Sequence, residues 1–366
     1  MLILWFLVLN LVFLACAGWV FARVFLIGPG MERYDAPRAE IPAARRSASP
    51  ENAEVLRLID DFRREVGGGR LISRIAETRR LLDAGIAGTP VSPEALQVER
   101  LKVEAGGVPA EWIRVPASDP DRRLLYIHGG AFTAGSPDSH RYITAGLARL
   151  ASVSVLAIDY RLMPEHARRA GITDCKTAYQ WMLEHGPDRA APATSAYVAG
   201  DSAGGNLTLV LIAWLRDARL RQADAAIALA PLTDATLSSP TMRTHVASDP
   251  FLGPSMGRIT RMPRSVVAYL TLFANRMTPK NPLLSPLRGN LAGLPPTLLQ
   301  VSASEMLFDD AQRYVNKARE SGSPVEIQIW NDMVHVWQLF LSVLPESRDA
   351  LQDIAGFVQR HPGAGS

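Results

Sequence analysis

One short stretch, Gly200-Asp201-Ser202-Ala203-Gly204, limits what this chain can fold into more than any other. The run before it, Ser195 to Ala199, reads as a buried strand, and Ala203 to Leu215 reads as a helix. Ser202 therefore falls on a sharp turn from strand to helix, with its hydroxyl pushed outward. Glycine is needed on either side because side chains there would collide with the neighbouring strand and helix. The N–H of Ala203 then lies at a helix N-terminus, where it can stabilise developing negative charge. A glycine-rich turn is also an ordinary strand–helix connection, so its meaning depends on partners elsewhere in the chain.

A nucleophilic serine needs a general base, an acid to orient that base, and donors for an oxyanion. Where the serine sits on such a turn of a parallel sheet, the acid and then the histidine follow it in the chain. That order leaves His245, His335 and His361. His361 lies in a polar tail and His245 in a proline-containing irregular stretch. His335 follows the alternating strand Val325 to Trp330 and a short turn, at the end of a strand where such sheets carry their chemistry. The acid has three contenders after the apolar strand Thr297 to Ser302: Glu305, Asp309 and Asp310. Glu305 is nearest the strand end and is favoured. The two aspartates fall in the first turn of a helix, where acids commonly complement the dipole. Upstream, His128-Gly129-Gly130-Ala131-Phe132 follows the strand Arg123 to Ile127. Gly129 and Gly130 are expected to turn their N–H groups toward one point, joined by Ala203. His128 and Asp201 are expected to support that loop.

With these motifs in place, the chain resembles the hormone-sensitive-lipase-type esterases of the α/β-hydrolase superfamily from about Leu124 to the C-terminal helix. Asp159-Tyr160-Arg161-Leu162, Pro164-Glu165-His166, Ser285-Pro286-Leu287 and Gly293-Leu294-Pro295-Pro296 add to the likeness. The resemblance implies a mostly parallel eight-stranded sheet with flanking helices, the acid at Glu305, and a helical cap. That cap combines N-terminal helices with an insertion at about 235–296. One departure is Ala167-Arg168-Arg169-Ala170-Gly171, where relatives carry an apolar Phe-Pro or similar pair. This is expected to alter local packing rather than the catalytic groups. Many relatives use Asp where Glu305 stands, and either carboxylate can hold the imidazole tautomer.

Composition excludes several other classes. The net charge of +3 comes from scattered arginines, with no basic stripe and no zinc-type Cys/His spacing, which argues against nucleic acid as a partner. Cys16 and Cys175 make no disulfide framework, and no Ser-x-x-Lys occurs. The implied chemistry calls for no metal and no organic cofactor. Residues 1–22 carry no charged side chain. As a helix they would span roughly 33 Å, enough for a bilayer core. A signal peptide would begin with basic residues and stop at a shorter apolar run. A retained single-pass anchor is therefore expected. Arg23, Arg33, Arg38, Arg45 and Arg46 follow the span and none precedes it, which favours a cytoplasmic catalytic domain.

The expected organisation is an anchor over 1–27, a proline-containing linker over 28–50, N-terminal cap helices over 51–95, and a catalytic domain over 96–366. Within 51–66, Val55, Leu58, Ile59 and Phe62 form one helical stripe that Gly67-Gly68-Gly69 ends. The expected reaction is hydrolysis of short to medium acyl esters through an acyl-enzyme, with a small lipophilic ester as substrate and the membrane as partner. Acyl transfer or deacetylation would use the same residues. A non-catalytic ligand-binding protein on the same shell is the reading from another class, and the presence of His335 weighs against it.

Overall fold

The computed structural model describes residues 1–36, 47–85 and 97–363. Parts of the expected linker (37–46, with Arg38, Arg45 and Arg46) and of the expected N-terminal cap (86–95) lie outside these. An eight-stranded sheet organises the chain in the order β1-β2-β4-β3-β5-β6-β7-β8. Its strands are β1 (Glu99–Glu104), β2 (Pro109–Arg114), β3 (Asp119–Ile127), β4 (Val153–Ile158), β5 (Ser195–Asp201), β6 (Ala225–Leu229), β7 (Thr297–Ser302) and β8 (Val325–Trp330). The strands from β3 to β8 run parallel, while β1 and β2 are antiparallel additions at one edge.

The residue types explain the arrangement. Central strands such as Val153-Ser154-Val155-Leu156-Ala157-Ile158 are buried along their whole length, so they read as unbroken apolar runs rather than alternations. The edge strand β1, Glu-Arg-Leu-Lys-Val-Glu, carries charge along its exposed positions, which discourages further pairing. Helices cover both faces. Helices α4 (Arg141–Ala151) and α11 (Pro345–Arg360) pack on one face through Ile143, Leu147, Leu351 and Phe357. The other face holds α5 (Arg168–Glu184) and α6 (Ala203–Asp217), with Tyr179, Met182, Leu207 and Leu211. Helix α10 (Phe308–Glu320) covers β7 and β8 through Tyr314 and Val315.

The cap has two parts. Helices α2 (Asn52–Val66) and α3 (Leu71–Ala84) precede the sheet, and α7 (Thr241–Thr244), α8 (Gly253–Thr260) and α9 (Arg264–Asn275) come from the excursion between β6 and β7. At the N-terminus, α1 (Leu2–Phe21) runs into a single π-helical stretch, Ala22–Ile27. Leu4–Ile27 is long and apolar enough to cross a membrane by length and composition, with mean hydropathy 2.2. The segment after it is not a free linker over 28–36. Met31 and Tyr34 are buried against the core, Asp35 pairs with Arg313, and Asn316 Nδ2 donates to the Tyr34 carbonyl at 2.8 Å.

Candidate active site

Ser202 sits between β5 and α6 with φ 51° and ψ −112°, a conformation that costs a non-glycine residue about 1–3 kcal/mol. The surroundings hold it there. Its N–H donates to the Leu229 carbonyl at the end of β6 (2.7 Å), and its carbonyl accepts from Asn206 N–H (3.0 Å). A Cβ on Gly204 would lie 1.9 Å from the Ile127 carbonyl oxygen, and one on Gly200 would lie 2.6 Å from the Gly204 backbone. The flanking glycines are thus forced by the close approach of α6 to β3.

His335 lies in the loop after β8, and its two nitrogens face different partners. Nδ1 is 2.9 Å from Glu305 Oε2, and Nε2 is 2.9 Å from Ser202 Oγ. A buried carboxylate takes a donor, so Nδ1 carries the proton and Nε2 is free to accept from the serine hydroxyl. Burial by itself would lower the His335 pKa, but the hydrogen bond and charge of Glu305, with Asp249 and Asp201 adding, raise it above the ordinary value. Burial raises the Glu305 pKa in turn, against the opposing pull of His335. Ser202 is partly exposed while His335 and Glu305 are buried, so the hydroxyl is the member of the group that faces incoming ligand.

The other acids of the sequence reading are committed elsewhere. Asp309 Oδ2 accepts from Thr241 N–H at 2.8 Å, and Asp310 Oδ2 accepts from the N–H groups of Thr233 and Asp234 at 2.7 and 3.0 Å. Both clasp the start of the cap excursion to α10. His245 caps the short helix α7, and His361 ends α11, where its carbonyl accepts from Tyr197 Oη.

The loop after β3 departs from the expected arrangement at Gly129. The N–H of Gly129, expected among the oxyanion donors, points into the protein at Asp201 Oδ1 (3.0 Å), with His140 Nε2 beside it at 3.3 Å. A Cβ on Gly129 would meet Asp201 Oδ2 at 2.1 Å, so its glycine serves close packing of the loop against β5. The N–H groups of Gly130 and Ala203 have no acceptor among the described residues. Gly130, Ala131 and Phe132 all have positive φ (108°, 53° and 63°), which turns the chain back on itself at this point. Asp201 also accepts from Tyr126 Oη (2.7 Å) and faces His140 Nε2 (3.2 Å). Burial would raise the Asp201 pKa, but His140 and Tyr126 outweigh it and hold the carboxyl below its usual value. His128 Nδ1 donates to the Gly129 carbonyl (2.8 Å), and burial, with His140 adding, drops its pKa to about 3, so its ring stays neutral.

Sequence reasoning missed several supporting residues. His140 and Tyr126 complete the Asp201 cluster, and neither belongs to a recognisable local pattern. Asp249 accepts from the N–H groups of Phe251, Leu252 and Met306, fixing the cap beside Glu305. Ser302 Oγ donates to the Met333 carbonyl at 2.7 Å, which ties the His335 loop to β7. Phe251 stacks on Phe62 of α2 at 6.1 Å and lies 6.2 Å from the His335 ring, so both parts of the cap meet over that histidine. Arg168, in the departing segment, is buried. Its Nη2 donates to Asn206 Oδ1 at 2.7 Å and its guanidinium lies over the Phe132 ring. The departure therefore reaches the helix that follows Ser202 and the loop after β3, and is more than a packing change. Among the described residues, no group of three or more His, Cys, Asp or Glu side chains is arranged to hold a metal ion.

Comparison with known proteins places this geometry in context. Residues 124–339 match the family described as alpha/beta hydrolase fold. An acetyl-hydrolase from Streptomyces hygroscopicus is 37% identical over 72% of this chain and 83% of its own length. A carboxylesterase/phospholipase, LipF, from Mycobacterium tuberculosis is 32% identical over 71% of this chain and 69% of its own. Among solved structures, an esterase from the bacterial hormone-sensitive lipase family superposes with a TM-score of 0.75 at 32% identity, covering 87% of this chain and all of that one.

Proposed function

The chain belongs to the hormone-sensitive-lipase-type branch of the α/β-hydrolase fold family and is a carboxylic ester hydrolase, and we propose that it cleaves short to medium acyl esters with Ser202, His335 and Glu305. The observation that carries this assignment is the position of His335 between Glu305 and Ser202, each 2.9 Å away. Ser202 Oγ attacks the ester carbonyl as His335 Nε2 takes its proton, and Glu305 stabilises the imidazolium that forms. The tetrahedral oxyanion is received by the N–H groups of Gly130 and Ala203, with Ala131 adjoining; Gly129 supports the loop through Asp201. His335 then protonates the leaving alcohol. Water, deprotonated by the same nitrogen, attacks the acyl carbonyl, and as the acyl–Oγ bond breaks His335 returns that proton to Ser202 and the carboxylic acid leaves.

The N-terminal segment is read as a retained single-pass anchor, with the catalytic domain on the cytoplasmic side. Its support is an apolar helix, exposed from Leu4 to Phe13 and docked on the fold only at its C-terminal end, with arginines from Arg23 onward. Degradation of the catalytic domain by protease added outside intact cells would overturn that orientation. The catalytic scheme is tested by a fluorophosphonate probe and a p-nitrophenyl butyrate assay on wild type and Ser202→Ala. Wild type should label and turn over, and the variant should do neither. Turnover by the variant, or a wild-type protein inert to the probe, would refute the assignment; the latter result is the one expected of a binding protein.

A further inference from the structure

The cap excursion carries a second feature that ester chemistry does not use. Met262, Val266, Leu270 and Phe273 fall on one line along and just before α9, at spacings of four, four and three residues, and all are exposed, Phe273 by 75%. The opposite side of α9 is already occupied. Ala268 packs with Ala22, Leu26 and Ile27 of the N-terminal segment, and Tyr269 and Leu272 pack beside it. Tyr269 Oη donates to the Gly18 carbonyl at 2.8 Å, and its ring stacks on Phe21 at 6.5 Å. Lys280 Nζ, just past α9, reaches the Val24 carbonyl at 3.2 Å. The helix is thus apolar on two sides: one side grips the end of the apolar N-terminal helix, and the other faces outward next to it.

Charge around this stripe is one-sided. From Phe251 to Ser304 the chain contains no Asp or Glu, while Arg258, Arg261, Arg264, Arg276, Lys280 and Arg288 all lie within it. Arg258, Arg261 and Arg276 are exposed, with no carboxylate in salt-bridge reach among the described residues. Exposed apolar side chains bordered by cations, on a helix fixed beside a membrane-length span, match what an interfacial helix requires. Such a helix buries its apolar face at the headgroup boundary, and its cations meet anionic lipid heads. The level also agrees. About twenty residues cross a bilayer core, which from Leu4 ends at Arg23, and α9 grips the chain from Gly18 to Ile27, on either side of that boundary.

We propose that helix 264–275 lies in the surface of an anionic lipid bilayer, so that the cap, and with it the entrance to the site, rests on the membrane from which lipophilic esters are drawn. This rests on the reading of the N-terminal helix as a retained anchor. The grip of α9 on residues 18–27 then makes the cap and the span one body, and the outward stripe is the side of that body left for lipid.

The test uses the full chain in nanodiscs of phosphatidylcholine and phosphatidylglycerol, with a fluorophore on native Cys16 or on Phe273→Cys in a Cys16→Ala background. Nitroxide lipids labelled near the headgroup or deep in the chains report depth. Label at 16 should be quenched most by the deep nitroxide and label at 273 most by the shallow one. Quenching at 16 without quenching at 273 would overturn the docking of the cap while leaving the anchor intact. Quenching at neither position would overturn the anchor reading itself. Protection of position 273 that grows with protein concentration, without lipid quenching, would mean that a second copy covers the stripe, which also overturns the proposal. Independently, Leu270→Ser with Phe273→Ser should leave p-nitrophenyl acetate hydrolysis unchanged and lower hydrolysis of a medium-chain ester of a lipophilic alcohol, dissolved in the bilayer, several-fold. Equal rates on both substrates would refute the functional half.

Discussion

Replacing Glu305 with Gln separates the role of its charge from the role of its shape. The carboxylate is buried, and its Oε2 faces His335 Nδ1 at 2.9 Å, so the neutral amide occupies nearly the same space. An amide can satisfy Nδ1 by donating to it, which moves the imidazole proton to Nε2. That nitrogen is 2.9 Å from Ser202 Oγ and can then no longer accept the hydroxyl proton. In comparable triads the wrong tautomer lowers kcat about 10⁴-fold, or roughly 5.5 kcal/mol of transition-state stabilisation. A second readout is the acid limb of kcat/KM, which reports the base of the free enzyme. Because the His335 pKa is raised above 6.5, wild-type activity should fall with decreasing pH through a midpoint above that value. Burial opposes protonation of His335 and Glu305 is the largest group favouring it, so Glu305→Gln should move the midpoint downward. Initial rates on p-nitrophenyl butyrate across the acid and neutral range measure both effects, with Asp309→Asn as the control. A Glu305→Gln enzyme within tenfold of wild type, or an Asp309→Asn enzyme equally impaired, would refute the assignment of the acid.

Gly204→Ala puts a Cβ 1.9 Å from the Ile127 carbonyl oxygen, and neither backbone can yield. It should cost about 4 kcal/mol or more in urea unfolding and remove activity. Arg79 of α3 donates to the Thr133 carbonyl (2.7 Å) and the Met163 carbonyl (3.0 Å), and it pairs bidentately with Glu165, so it latches the N-terminal cap to the loop beyond Gly130. Arg79→Ala should raise KM more than it lowers kcat, and an unchanged KM would mean the latch does not shape the pocket. Burial pulls the Arg168 pKa down to about 10, and no carboxylate pairs with it among the described residues. Arg168→Leu removes that unpaired cation along with its bond to Asn206. The two effects oppose each other, so stability should stay within about 1 kcal/mol of wild type in urea unfolding, while kcat falls as the support under Phe132 is lost.

The parts of the fold that the sequence made legible are those fixed by local chemistry. Thr297–Ser302 and Val325–Trp330 are strands at the expected residues because short apolar or alternating runs bounded by turns have few other uses. That Ser202, Glu305 and His335 would come together was legible for the same reason, since each lies just past a strand that announces itself. Gly129 was not. Its N–H is claimed by Asp201, 72 residues further on, and only the parallel pairing of β3 with β5 brings the two together. No local pattern encodes that distance. Residues 28–36 likewise read as a linker, because the partners that dock them, Arg313 and Asn316, lie at the far end of the chain.

The cap shows the same division more sharply, because its residue roles depend on which way each helix is turned. Phe251, Tyr269, Leu270 and Phe273 are equally apolar in the sequence. Yet Phe251 meets the His335 ring, Tyr269 grips the N-terminal helix, and Leu270 and Phe273 face outward. The family resemblance marked the excursion as part of a cap, but it was silent on its outer surface. That surface is where an exposed stripe costs a water-soluble protein most. Selection for solubility alone would replace Phe273 with a polar residue at no cost to the core. The absence of any acid from Phe251 to Ser304 is likewise of no service to ester hydrolysis. Both become intelligible once the cap and the apolar span are treated as one body, with an anionic bilayer as the surface on which the active site opens.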